Sequence, residues 1–433
     1  MAIQSLLVIL VVLLALLFLG VPISYAIAVS SLTAIVSTID LNVAVLTAAQ
    51  RTFVGMSKFS LTAIPFFILA GNIMNQGGIA KRLVDFVMSI LGKLPGALLI
   101  TNIGTNALFG AISGSASAAA AAVGSMIRDG AEEQGYDPAV TAATNAASSC
   151  SGLLIPPSNA LITYSLASGG TSVAALFMAG YIPGIIWAVA CAVVGVILAK
   201  KLGYKGTPGK FDWKNLGVCT LRALPSLSLI IVVIGGIVGG VFSATEGSAI
   251  AVVYSLVLAF CYRSINLKSL WKIIVDSAKM SGMVVFLVGV SNILGWVMAF
   301  LQIPDAVAAA LLSLTSNKYI ILLIMNVILL VSGTFMDVTP AILIFTPLFL
   351  PICQSFGMST IQFGMILVYN LCIGNITPPV GNALFVGVKV GRTSLEKIMP
   401  YMLMYYVAII AGLLLVTYVP AVSLVLPQVT GLA

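Results

Sequence analysis

The chain sets out one plan twice, and both copies contain helix breakers. Ser113-Gly114-Ser115-Ala116-Ser117 is followed by Gly152-Leu153-Leu154-Ile155-Pro156-Pro157-Ser158-Asn159. Far downstream, Ser332-Gly333-Thr334-Phe335-Met336-Asp337 is followed by Gly374-Asn375-Ile376-Thr377-Pro378-Pro379-Val380-Gly381-Asn382. The spacings agree as well. Gly20 to Asn72 and Gly240 to Asn292 are each 52 positions, and Asn72 to Ser113 is 41 against 40 from Asn292 to Ser332. Small polar, helix-breaking motifs at matching places in two apolar halves point to a secondary transporter whose site lies between repeats.

The solvent follows from composition. Of 433 residues, 60% are hydrophobic and 7% charged, too few to cover a soluble globule of this size, so the chain reads as a polytopic membrane protein. Apolar segments able to cross roughly 30 Å of hydrocarbon fall at 3–20, 22–38, 60–77, 138–168 and 172–199, then at 224–241, 247–262, 278–301, 360–390 and 398–425. Each half holds five. The first has no basic leader and runs into the second through Gly20-Val21-Pro22, so it reads as a retained span rather than a signal peptide. Segments 138–168 and 360–390 are overlong and interrupted by proline pairs, which lack amide donors; each is expected to be a discontinuous helix. The stretches 97–128 and 318–353 break at Ser113-Gly114 and Ser332-Gly333 into halves too short to cross. They predict two re-entrant hairpins, tolerated at membrane depth only where they line protein or water. The expected fold is an all-α polytopic membrane protein of two inverted five-span repeats, 1–220 and 221–433, each with one hairpin and one broken helix. Segments 41–58 and 263–279 read as interfacial helices, and 302–318 and 354–360 as outer loops.

Basic residues orient this arrangement. With both termini outside, seventeen of the twenty Lys and Arg, among them Lys200, Lys201, Lys205 and Lys210, fall on the inner side, and only Arg51, Lys58 and Lys318 fall on the outer. The rich side is cytoplasmic by the positive-inside rule. An odd number of spans turns the second copy upside down, so the hairpin tips can meet near the midplane. The net charge of +8 follows from this loop bias, and no nucleic-acid partner is expected.

The chemistry-bearing residues are few. There is no histidine, no carboxylates are paired, and a serine nucleophile at Ser113, Ser115 or Ser117 has no base near it, so an enzyme is not expected. Cysteines 150, 191, 219, 261, 353 and 372 lack metal-type spacing and read as packing residues. The breaks offer oxygen instead. Carbonyls released from helices, together with Ser, Thr and Asn side chains, suit a small hard cation such as sodium, whereas proton coupling would call for His or several carboxylates. Half-helices starting near Ser115, Ser158, Asp337 and Gly381 present amides to a carboxylate substrate. A lone Ser-Gly or Pro-Pro would be a packing or turn feature; repetition favours function. Asp337 suits both an N-cap and a functional residue at membrane depth. Glu246, after Ser243-Ala244-Thr245, suits capping as well as function, and 128–137 reads as a solvated inner turn.

Ser113-Gly-Ser, Gly152 through Pro156-Pro157-Ser158, Phe335-Met336-Asp337 and Ile376-Thr377-Pro378-Pro379-Val380-Gly381 resemble the large membrane subunit of the tripartite ATP-independent periplasmic (TRAP) transporters, over essentially the whole chain. The resemblance implies a bacterial inner-membrane protein that works with a small four-helix membrane subunit and a soluble periplasmic substrate-binding protein. It implies sodium-driven uptake of an organic acid by an elevator motion. One sodium site would involve Ser113, Gly114, Ser115, Gly152, Pro156 and Ser158, and the other Gly333, Thr334, Asp337, Gly374, Thr377, Pro379 and Gly381. Candidate substrate ligands are Ser115, Ser117, Asn159, Asn375 and Asn382. Family members that carry C4-dicarboxylates usually have apolar residues after the proline pairs. Here Asn159 and Asn382 follow, and the chain looks most like the sialic-acid branch. Because it opens almost directly on a span, the small subunit is expected to be a separate chain. A self-contained sodium symporter of the same superfamily is the nearest alternative, and an intramembrane enzyme or channel-like subunit a distant one.

Overall fold

The computed structural model describes residues 2–206, 212–315 and 317–432; Lys210, counted above on the inner side, lies outside them. Helices are the only regular structure among the described residues. That is what lipid requires, since each backbone polar group must bond within its own segment.

Among the described residues, six helices are long and apolar enough to cross a membrane: Val173–Lys201, Trp213–Val238, Ala244–Cys261, Leu267–Phe300, Val338–Ser355 and Leu395–Tyr418. Ala2–Phe18 and Ile23–Val36 have 17 and 14 residues, hence lengths of about 25 and 21 Å, short of the hydrocarbon thickness assumed for spans. Segment 41–58 is a helix, Leu41–Met56, set at an angle to the one that follows. Leu41–Met56 is the first leg of an element that bends by 59° into Phe59–Gln76. The break lies at Lys58, whose backbone is extended (φ −67°, ψ 122°) between the end of the first leg and the turn Phe59–Thr62 that opens the second. The corresponding stretch of the second half is continuous helix, Leu267–Phe300, 34 residues, so 263–279 is mostly the start of one long helix. The outer loop at 302–318 is largely the helix Ile303–Leu314, with Pro304 in its first turn.

The first hairpin is Ala97–Ser113 and Ala116–Glu133, so part of the supposed turn at 128–137 is helix. Within that helix Arg128 donates to Val390 O at 3.2 Å, and beyond it Asp137 caps the next helix through Ala139 N. The second hairpin is Lys318–Gly333 and Val338–Ser355. Each hairpin thus runs a few residues past its expected end, to Glu133 and Ser355. The first broken helix comprises Pro138–Ser149 and Ser151–Leu154, then Asn159–Ala167; the second comprises Thr360–Asn375, then Asn382–Val390. Both proline pairs, Pro156-Pro157 and Pro378-Pro379, are cis. Packing crosses between halves. Asn159–Ala167 lies against the Val338–Ser355 arm of the second hairpin, and Asn382–Val390 lies against the Ala116–Glu133 arm of the first. That exchange gathers both hairpins and both broken helices into one packed group. Elsewhere, Glu246 and Ser243 form a reciprocal capping box, with Glu246 Oε2 accepting from Ser243 N at 2.8 Å. All six cysteines are free, with only Cys261 exposed.

Candidate functional site between the helix breaks

The N-caps of the four half-helices are Ser115, Ser158, Asp337 and Gly381, the residues singled out from sequence. Their side chains differ in what they have left to offer. Ser115 Oγ accepts from Ala118 N at 3.3 Å. Ser158 Oγ, fully buried, accepts from Leu161 N at 3.4 Å and donates to Leu153 O. Asp337 makes no side-chain cap bond, so its exposed carboxylate is not committed to the helix it starts.

Around these breaks lies a cavity of about 160 Å³. One side is formed by Gly114, Ser115 and Ser117 of the first tip, Asn159 and Thr163, Asp337 and Thr339, and Asn375. The other is formed by Ile64 and Ile68 of Ala63–Gln76 and by Met280 and Val284 of Leu267–Phe300. The site therefore sits where the group of hairpins and broken helices meets outer helices. Asp337 is the one ionisable residue lining it. The side-chain oxygens of Asn159 and Asn375 are buried without a hydrogen-bond partner. Left unpaired, each such acceptor costs about 1–3 kcal/mol, and neither has room for a partner without a local rearrangement. An exposed carboxylate among Ser, Thr and Asn residues lining one cavity matches the ligand preference of a small hard cation.

Several candidate residues hold the walls instead. A Cβ on Gly152 would lie 2.1 Å from Gly110 Cα, and one on Gly374 would lie 2.5 Å from Gly333 Cα, so these glycines let a broken helix touch its hairpin backbone to backbone. Ser113 is buried beneath Gly71, where a Cβ would come 2.8 Å from the Ser113 carbonyl oxygen. Thr334 O accepts from Val380 N at 3.0 Å, tying the second tip to the second broken helix, and Thr377 Oγ1 donates to Ile373 O. Pro156 is buried in its loop, while Pro379 and Asn382 are exposed and line no part of the cavity.

Sequence reasoning passed over the buried asparagines. Asn106 Nδ2 donates to Asn102, Asn145 and Ser148 side chains at 2.7, 3.1 and 2.8 Å. In the second half, Asn370 Nδ2 donates to Asn326 Oδ1 at 2.8 Å and Asn326 Nδ2 to Thr417 Oγ1 at 3.0 Å. In each half an amide pair locks the first hairpin arm to the first arm of the broken helix. The available signal was an amide in both arms of both repeats, within otherwise apolar helices.

Residues 10–422 match the family model described as "Tripartite ATP-independent periplasmic transporter, DctM component". An uncharacterized Salmonella typhimurium protein, YgiK, is 49% identical over 94% of each chain. The "Isethionate TRAP transporter permease protein DctMQ" of Oleidesulfovibrio alaskensis is 37% identical over 94% of this chain, which spans 64% of that longer protein. Other relatives, at 32 to 36% identity, are named as C4-dicarboxylate or sialic acid permeases. In fold, the chain is similar to the Alcanivorax borkumensis YdaH transporter, with a TM-score of 0.62 over 88% of this chain and 89% of that one, at 15% identity. With nearly its whole length matched, the chain belongs to the DctM family, the large membrane permease component of tripartite ATP-independent periplasmic transporters.

Proposed function

We propose that the chain carries an organic anion across a bacterial inner membrane, driven by sodium moving down its gradient. The observation that supports this most directly is a cavity lined by both hairpins and both broken helices, with one uncommitted carboxylate, Asp337, beside Ser115, Ser117, Asn159 and Asn375. Sodium held by Asp337 and by backbone oxygens at the breaks, within the sets 113–115, 152, 156 and 158 and 333–334, 337, 374, 377, 379 and 381, would offset the charge of an incoming anion. Ser115, Ser117, Asn159 and Asn375 would bond its polar groups, with Asn382 outside the cavity in this arrangement. The relatives' names span isethionate, C4-dicarboxylates and sialic acid, which share an anionic head group. Sialic acid is the first candidate on sequence resemblance, and these compounds form the assay panel.

The two halves act as inverted repeats, a reading supported by the sided distribution of basic residues and by the crossed packing of half-helices. Hairpins and broken helices move as one body against outer helices, carrying the cavity between the two sides. A small membrane subunit docks on the outer helices, where Leu46 and Phe53 are 62% and 70% exposed. A soluble binding protein delivers substrate to the outer face. Vesicle uptake with this chain alone, with the small subunit and with the binding protein as well tests the reading. Uptake is expected only with all three, only with an inward sodium gradient, and undiminished when the proton gradient is collapsed. Acid-driven, sodium-independent uptake overturns it. Cysteines placed near Gly169 and Asn317 are expected to label from outside and those near Lys205 and Lys268 from inside; labelling at Lys205 only from the periplasm rejects the inverted topology.

A further inference from the structure

Two of the three basic residues on the outer side converge. Arg51, near the end of Leu41–Met56, and Lys58, at the bend that follows, line one cavity of about 460 Å³. Lys318 lies elsewhere, its ammonium 5.2 Å from the Tyr319 ring centre. No acidic residue lines the basic cavity, and neither Arg51 nor Lys58 is in an ion pair among the described residues. Asn292, one of the repeated landmarks, holds the corner together. It lies so close to Gly55 that a Cβ there would come 2.5 Å from its side-chain nitrogen, which seats Leu41–Met56 directly on the long helix Leu267–Phe300.

This cavity shares three walls with the one between the helix breaks, displaced along each. Thr163, Val284 and Thr339 line the inter-hairpin cavity; Ala167, Val288 and Leu343 line the basic one. Each pair is four residues apart on one helix, which is a rise of about 6 Å. The two spaces are therefore stacked about one helical turn apart along the same three helices. The inner one is lined by Asp337, and the outer one by two cations.

We propose that the basic cavity is an anteroom that collects the anionic group, carboxylate or sulfonate, of the substrate before it passes to the inter-hairpin cavity. The proposal rests on the reading that the substrate is an organic anion entering from the outer side. Positive charges in a recess with low-dielectric walls raise the local concentration of anions. An exposed Arg or Lys at a membrane edge is otherwise an interfacial anchor for lipid head groups. Anchoring does not call for both cations to line one recess that faces the substrate cavity.

The test needs no identified substrate. A cysteine introduced as Ala167→Cys faces the basic cavity from the half-helix wall, and its rate of reaction is measured with an anionic sulfonatoethyl and a cationic trimethylammonioethyl methanethiosulfonate. The parent chain without that cysteine serves as background. The anionic reagent is expected to react faster, and Arg51→Gln with Lys58→Gln to lower the anionic-to-cationic rate ratio by about tenfold. Arg51→Lys with Lys58→Arg, which preserves both charges, is expected to keep the ratio. A ratio unchanged by charge removal overturns the anteroom and returns both residues to interfacial anchoring. Failure of the unsubstituted three-part assembly to take up any organic anion would instead defeat the preceding reading, while the reagent ratio still decides whether the recess selects anions.

Discussion

The two hairpins are written on one plan, yet the first is closed and the second open. In the first, Ser113 and Gly114 are buried, a two-residue break suffices because Gly114 adopts φ 61°, and the Asn159 amide reaches Gly114 O at 3.5 Å. Its first arm is covered by Ala63–Gln76 and Val173–Lys201. In the second, the break runs over residues 334–337, Phe335 and Val380 are 45% and 39% exposed, and the first arm turns Ile320, Leu323 and Val327 outward. The difference lies in what the polar groups are free to do. At the first tip the Ser115 hydroxyl is used in capping, whereas at the second the Asp337 carboxylate occupies the same capping position without being used by it. Similar sequences thus yield a packed wall on one side and an available ligand on the other.

Substituting the second tip is expected to have the largest effect on transport. Asp337→Ala should lower sodium-driven uptake by more than about a hundredfold while leaving detergent-solubilised protein as stable as the parent, because an intramembrane carboxylate has no substitute among its neighbours. Normal uptake would erase the distinction between the tips. The glycine contacts sharpen it next. On the hairpin arms, Gly110→Ala forces a Cβ to 2.5 Å from Gly152 Cα, whereas Gly333→Ala meets Gly374 Cα at 3.2 Å. Thermal unfolding is therefore expected to show a loss of about 1–3 kcal/mol for the first and a smaller loss for the second. Equal losses would mean that both hairpins are packed alike. Smaller again are the turn itself and its cap. Gly114→Ala places a side chain at positive φ, costing about 1–2 kcal/mol, while Thr334, which is right-handed, should tolerate Ala. Ser115→Ala removes a cap bond worth about 1 kcal/mol, and Asp337→Asn removes none. A stability loss in the last variant as large as in Ser115→Ala would show a carboxylate tied into its helix after all.

Much of the frame was legible beforehand, and for local reasons. Proline pairs without amides, a glycine able to turn left-handed and serines able to cap end a helix wherever they stand, so the four half-helix starts fall at Ser115, Ser158, Asp337 and Gly381. The boundary between segments 41–58 and 60–77 likewise falls at the 59° bend between Leu41–Met56 and Phe59–Gln76. Helices Ile79–Leu91 and Ile303–Leu314 escaped notice because they are too short to read as spans.

The sequence by itself determined where helices stop, which residues start them again, and that these events occur twice in an apolar chain. Only tertiary structure decided which of the resulting oxygens share a cavity. Asn159 and Asn382 follow their proline pairs at similar places, yet Asn159 turns into the cavity and Asn382 lies outside it. Ser158 spends its hydroxyl on its own loop, while Asn375, at the start of the second break, lines Asp337's cavity and keeps a buried side-chain oxygen without a partner. Which way a half-helix faces depends on the arm it packs against. Here that arm comes from the opposite repeat, so the orientation is set by contacts more than 150 positions away in sequence and not by the residues at the break.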